Sequence, residues 1–131
     1  MNLKSLIKKT IHYAAIGGIG FIINLAVFHI SLAAGQTANL SNYLAIGISI
    51  TANFGIAAKT RLFPPNAGAR ANFLKFAHWT GCSLSGIITN LLTFHLALNS
   101  LGASETNILA TLIGMGTSFG VALVTRLFPV E

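Results

Sequence analysis

The side chains with the most pointed chemistry stand at two equivalent places. Arg61 and Arg126 each end a long apolar run and are each followed by Leu-Phe-Pro. A guanidinium offers a planar fork of donors that fits phosphate oxygens. As a pair, these arginines suit phosphate ligation; as plain interfacial anchors, they would only reach the headgroup layer. Lys59 adds a cation just before Arg61. Lys9 and Lys75 each stand shortly before a histidine and an aromatic, in the sets Lys9, His12, Tyr13 and Lys75, His78, Trp79. These sets read either as anchors or as further phosphate contacts. The candidate lipid-phosphate residues are therefore Arg61, Arg126, Lys59, Lys9, Lys75, His12 and His78.

A second polar set lies inside the apolar runs. On a helix, Tyr13, Gly17, Gly20, Asn24 and Phe28 share one stripe, and Trp79, Ser83, Gly86, Asn90 and Phe94 share another. Ser49, Asn53, Ala57 and Thr60 form a third, matched by Gly114, Ser118, Ala122 and Thr125. An amide in hydrocarbon must find a partner. Asn24 and Asn90 either bond across a helix interface or line a polar groove, and one arrangement can do both. The groove is expected to hold Asn24, Asn90, Asn53 and Ser118, with His29 and His95 toward the outer leaflet. A neutral imidazole there suits a carbonyl or a sugar hydroxyl. Asn42 and Asn107 are expected to cap the outer helix ends, and Glu105 to sit at the positive end of a helix dipole.

Other chemistries find no constellation. No nucleophile stands with a base and a carboxylate, and no Gly-rich nucleotide loop follows a strand. The expectation is a protein that is not an enzyme, with no catalytic residues and no cofactor. The apolar runs contain no Asp or Glu, and the histidine pairs lack further ligands, so no metal is expected. Cys82 is the single cysteine and can form no internal disulfide.

These residues need long helices to position them. The chain has 131 residues, 53% of them hydrophobic and only 8% charged, against about 25% charged in soluble domains. A chain this short has too much surface to hide such side chains from water. A bilayer core needs roughly 20 mostly apolar residues per helix. Four stretches qualify: about Ile11 to Ala34, Tyr43 to Leu62, Phe76 to Leu98, and Asn107 to Leu127. The first run is too long for the h-region of a signal peptide. All eight Lys and Arg flank the same ends of these spans, and the first and third connections carry none. That pattern places both termini in the cytoplasm, at the cell membrane. The net charge of +6 is too segregated for nucleic acid and suits a rim facing anionic lipid.

The chain also repeats itself. A shift of 66 carries Lys9, His12, Gly20, Asn24, Phe28 and His29 onto Lys75, His78, Gly86, Asn90, Phe94 and His95. After the outer connection the shift becomes 65, carrying Asn42, Phe54 and Gly55 onto Asn107, Phe119 and Gly120, and Thr60-Arg61-Leu62-Phe63-Pro64 onto Thr125-Arg126-Leu127-Phe128-Pro129. Apolar composition alone does not place His, Asn, Arg and Pro in register. The expected fold is an all-α membrane protein in one domain over 1–131, with four transmembrane helices from a tandem parallel repeat of a two-helix unit, N-in and C-in. The units run over about 9–64 and 75–129, with a linker over about 65–72. Parallel repeats are related by an axis along the membrane normal.

From about Lys9 to Pro129, this pattern resembles the GtrA-like family of small four-span membrane proteins. The resemblance rests on size, the two-helix repeat, the Gly-containing first helix and the even-numbered helices ending in a basic residue and Phe. The closing segments read Ala58-Lys59-Thr60-Arg61-Leu62-Phe63 and Leu123-Val124-Thr125-Arg126-Leu127-Phe128, without the Asn with which the family often opens them. The resemblance implies handling of a polyprenyl-phosphate-linked sugar across the membrane for cell-surface polysaccharide synthesis, beside a separate glycosyltransferase. A small ion channel whose Asn stripe lines a pore and a non-transporting glycosyltransferase anchor are the competing readings. A proton-coupled exporter would want an intramembrane acid. Gly116 and Gly120 form a G-x-x-x-G that suits close helix contact, internal or in a homodimer.

Overall fold

The computed structural model describes residues 2–59 and 68–127, with some side chains near the helix ends left outside the description. The described chain is all helix and connection. Helix α1 spans Leu3–Ala33, α2 Ala38–Lys59, α3 Gly68–Ala97 and α4 Ala103–Leu127.

The helices start earlier than the apolar runs suggest. Helix α1 begins at Leu3 and takes in Lys4, Lys8 and Lys9. Lysine is a good helix former, so the helix continues past the point where hydrocarbon solvation ends. At 31 residues it is about 46 Å long, against a hydrocarbon core of about 30 Å. Asn2 caps it, its side chain accepting from Lys4 N at 3.3 Å. Helix α3 likewise begins at Gly68, so residues 68–72 of the expected linker are helical.

The connection from α1 to α2 is a tight turn. Gly35 has φ +86°, the left-handed conformation that commonly ends a helix and that glycine adopts without strain. Gln36 N donates to Ser31 O at 3.1 Å across this turn. Thr37 Oγ1 accepts from Leu40 N at 3.3 Å and caps α2. Asn42 and Asn107, read from sequence as caps, instead lie inside α2 and α4 and are almost fully buried.

Packing is most extensive within the pairs α1–α2 and α3–α4, followed by α1–α4, and is thin between α2 and α3. Near the two short connections, Phe28, Phe94, Ala45 and Ala110 form a fully buried cluster. The Phe28 and Phe94 rings meet edge to face, with centroids 5.9 Å apart. The sequence repeat carries Phe28 onto Phe94 and Ala45 onto Ala110, so both copies contribute the same residues to this core. Helices α1, α2 over Ala38–Ala57 and α4 over Ala103–Thr125 are long and apolar enough to cross a bilayer. Their outward faces carry Ile22, Ile30, Leu44, Ile48 and Val124 exposed, as lipid contact requires.

Candidate functional site

The site begins with four asparagines. Asn24 is on α1, Asn42 on α2, Asn90 on α3 and Asn107 on α4, and all are buried. Asn42 Nδ2 donates to Asn90 Oδ1 at 3.1 Å, and Asn107 Nδ2 donates to Asn24 Oδ1 at 3.1 Å. The repeat carries the first bond onto the second. Asn107 Nδ2 also donates to Asn42 Oδ1 at 3.3 Å, joining the two halves. Thr111 Oγ1 donates to Asn24 Oδ1 at 3.0 Å and accepts from Asn90 Nδ2 at 3.5 Å. Thr111 corresponds to Ile46 in the other copy, so this addition is one-sided. Helix α4 is thus bonded to each of the other three helices, and α2 to α3, by amide or hydroxyl groups where hydrocarbon offers no substitute partner.

Glycines let the helices come this close. A Cβ on Gly114 would stand 2.6 Å from Gly86 O and 3.0 Å from Asn90 Cβ, so α3 and α4 touch backbone to backbone. A Cβ on Gly20 would collide with the Asn53 amide. That glycine therefore makes the space in which Asn53 sits.

From the asparagine network, a cavity of about 340 Å³ runs between the helices as far as Tyr13 and Trp79. Asn24, Asn90 and Thr111 close one end. Ser49, Asn53, Ser83 and Ser118 add polar groups along the wall. Ser49 Oγ donates to Ile46 O at 3.1 Å, leaving its lone pairs free to accept. Asn53 Oδ1 is buried without a partner. Among the described residues, no Lys, Arg, His, Asp or Glu lines the space. Toward the other end, Tyr13 packs on Phe119 with ring centroids 6.1 Å apart, and Trp79 packs on Phe54 at 5.5 Å. The repeat carries one aromatic pair onto the other.

The expected groove residues divide. Asn24, Asn90, Asn53 and Ser118 line the cavity. His29 and His95 do not; both are exposed on the outside of the helices, and His29 stacks edge-on against Phe28. The helical period explains this, because each follows a buried phenylalanine by one position and is rotated about 100° from it. Asn42 and Asn107 belong to the network although sequence placed them at caps. Their match under the repeat was the available signal; their depth inside the helices was hidden by the late apolar onset of α2 and α4.

The expected phosphate residues gather only in part. Lys9 and Lys59 are exposed at the helix ends that hold Tyr13 and Phe54. His12 is half-buried, and its Nε2 has no partner. His78 Nε2 lies within hydrogen-bonding distance of Thr125 Oγ1. Since that hydroxyl donates to Val121 O at 2.8 Å, it is placed to accept from an Nε2–H. The same imidazole lies 3.8 Å from Cys82 Sγ. Arg61 lies outside the described residues, and only the helical backbone of Lys75 and Arg126 falls within them.

Residues 12–125 match the family model described as GtrA/DPMS, transmembrane domain. No curated protein and no solved structure matches the chain.

Proposed function

The chain belongs to the GtrA/DPMS transmembrane-domain family, and from that premise we propose that this integral membrane protein translocates a polyprenyl-phosphate-linked sugar for cell-surface glycan synthesis. The observation that carries this reading is the cavity. An uncharged space with a few polar groups on a largely apolar wall, unfilled, sacrifices dispersion contacts. It suits the sugar of a headgroup whose tail remains in lipid. The thin packing between α2 and α3 offers the tail a lateral way out.

Helix α3 also crosses the membrane, from about Phe76 onward, where it carries no Lys, Arg, Asp or Glu, which makes four spans. The two halves are related by a pseudo-two-fold axis along the membrane normal. Both termini face the cytoplasm at the plasma membrane, following the one-sided Lys and Arg. Arg61 and Arg126, helped by Lys59, Lys9, Lys75, His12 and His78, hold the phosphate at that face. The protein breaks no bond itself; a glycosyltransferase supplies the lipid-linked sugar, and a homodimer is one arrangement in which it works.

The test is reconstitution in liposomes with a fluorescent polyprenyl-phosphate sugar and an ion-sensitive dye. The expected result is protein-dependent movement of the lipid between leaflets without ion flux. Ion flux without lipid movement would favour a channel, and neither signal would favour an anchor; both outcomes overturn the proposal.

A further inference from the structure

A sugar phosphate has two unlike parts, an anion and a ring of hydroxyls, and the cavity's chemistry separates them. No cation lines it among the described residues. An anion moved there would lose water with nothing to compensate, which is strongly unfavourable. A hydroxylated ring meets suitable groups instead. Asn53 Oδ1 is a buried acceptor without a donor, and Ser49 and Ser118 stand beside it on the wall. Tyr13 and Trp79 at the far end supply aromatic surface for the ring's C–H face. A few placed polar groups on an otherwise apolar and aromatic wall are typical of small-molecule sites.

The two copies share part of the wall, as at Gly20 and Gly86 or Asn24 and Asn90. At other lining positions they differ: Tyr13 stands opposite Trp79, Ser49 opposite Gly114, and Asn53 opposite Ser118. A wall whose two sides differ at these positions suits an occupant without two-fold symmetry. The volume of about 340 Å³ lies within the roughly 300–1,000 Å³ range of ligand sites and admits a sugar ring.

We infer that, in the loaded state before transfer, the cavity binds the uncharged glycosyl ring with Asn53 as its hydrogen-bonding anchor, while the phosphate rests at the basic helix ends. This rests on the lipid-linked-sugar reading above.

Trp79 is the only tryptophan in the chain and lines the cavity, so its emission reports on the occupant. The experiment uses the full chain in nanodiscs, free of glycoside detergents. Farnesyl phosphate is compared with a panel of farnesyl-phosphate hexoses, and binding is measured separately with radiolabelled lipid. At least one hexose-bearing lipid is expected to shift Trp79 emission saturably, while farnesyl phosphate binds without the shift. Asn53→Leu should weaken the hexose-dependent response at least tenfold, and Asn53→Ser, which restores a hydroxyl, should recover most of it. An equal shift from farnesyl phosphate, or hexose lipids that bind without any shift, would overturn this inference and leave the broader reading standing. Failure of every lipid to bind would overturn both.

Discussion

Asparagine in a membrane-spanning helix serves best where its amide atoms have partners, and here Asn42 and Asn90 have partners for both oxygen and nitrogen. Among the network atoms only Asn107 Oδ1 is buried and unbonded. Asn90 accepts from Asn42 and donates to Thr111, so Asn90→Leu strands a donor and removes a bond. The expected cost is about 1–3 kcal/mol, the range for a buried polar group left without its partner. His95→Ala, on an exposed side chain, should stay within about 0.5 kcal/mol. Unfolding in mixed micelles by a denaturing detergent compares the two; equal losses would mean that the network does not hold the bundle. Sequence gave half of this network. The stripe of Tyr13, Gly20, Asn24 and Phe28 faces inward as its period requires. Asn42 and Asn107 were misplaced because a polar residue near the edge of an apolar run looks the same whether it caps a helix or has a helical turn before it. For α2 the difference lies in Thr37 taking the cap.

At the scale of the element, hydropathy marks where a helix is solvated by lipid and says little about where it begins. Helices α1 and α3 both extend into basic segments that composition read as flanks or linker. The proposed orientation predicts that single cysteines at Gln36 and Ser100, both exposed on the two short connections, label from outside the cell in a Cys82→Ala background. Cysteines at Lys4 and Lys8 should label only after permeabilisation. Labelling of both sets from outside would contradict the one-sided charge argument. The arginines are tested separately. Arg61→Lys with Arg126→Lys keeps the charge that orients the helices but loses the planar fork. Insertion should be unchanged, while lipid-phosphate binding should fall by about 1–3 kcal/mol, the range for hydrogen bonds to charged groups. Unchanged binding would reduce both arginines to anchors and move the phosphate to Lys9, Lys75, His12 and His78.

In the whole molecule, one half is packed and the other encloses space. Phe28 with Phe94, Ala45 with Ala110 and the two matched asparagine bonds seal the end near the short connections. The cavity and its aromatic pairs occupy the other half. A cavity is a property of how four helices meet, and no single helix pattern contains it. Two adjacent glycines now allow its role to be isolated. Gly17 lines the cavity, and a Cβ there would sit 3.6 Å from Met115 Sδ, an ordinary contact, so a side chain built from that position takes up cavity space. A Cβ on neighbouring Gly18 meets nothing within 4 Å. The decisive measurement is the rate at which liposome-reconstituted wild type, Gly17→Leu and Gly18→Leu move a fluorescent polyprenyl-phosphate sugar between leaflets, at matched protein levels. Gly18→Leu is expected to match wild type while Gly17→Leu falls at least tenfold. Equal rates for all three would contradict this expectation, since the headgroup would then cross without using the cavity.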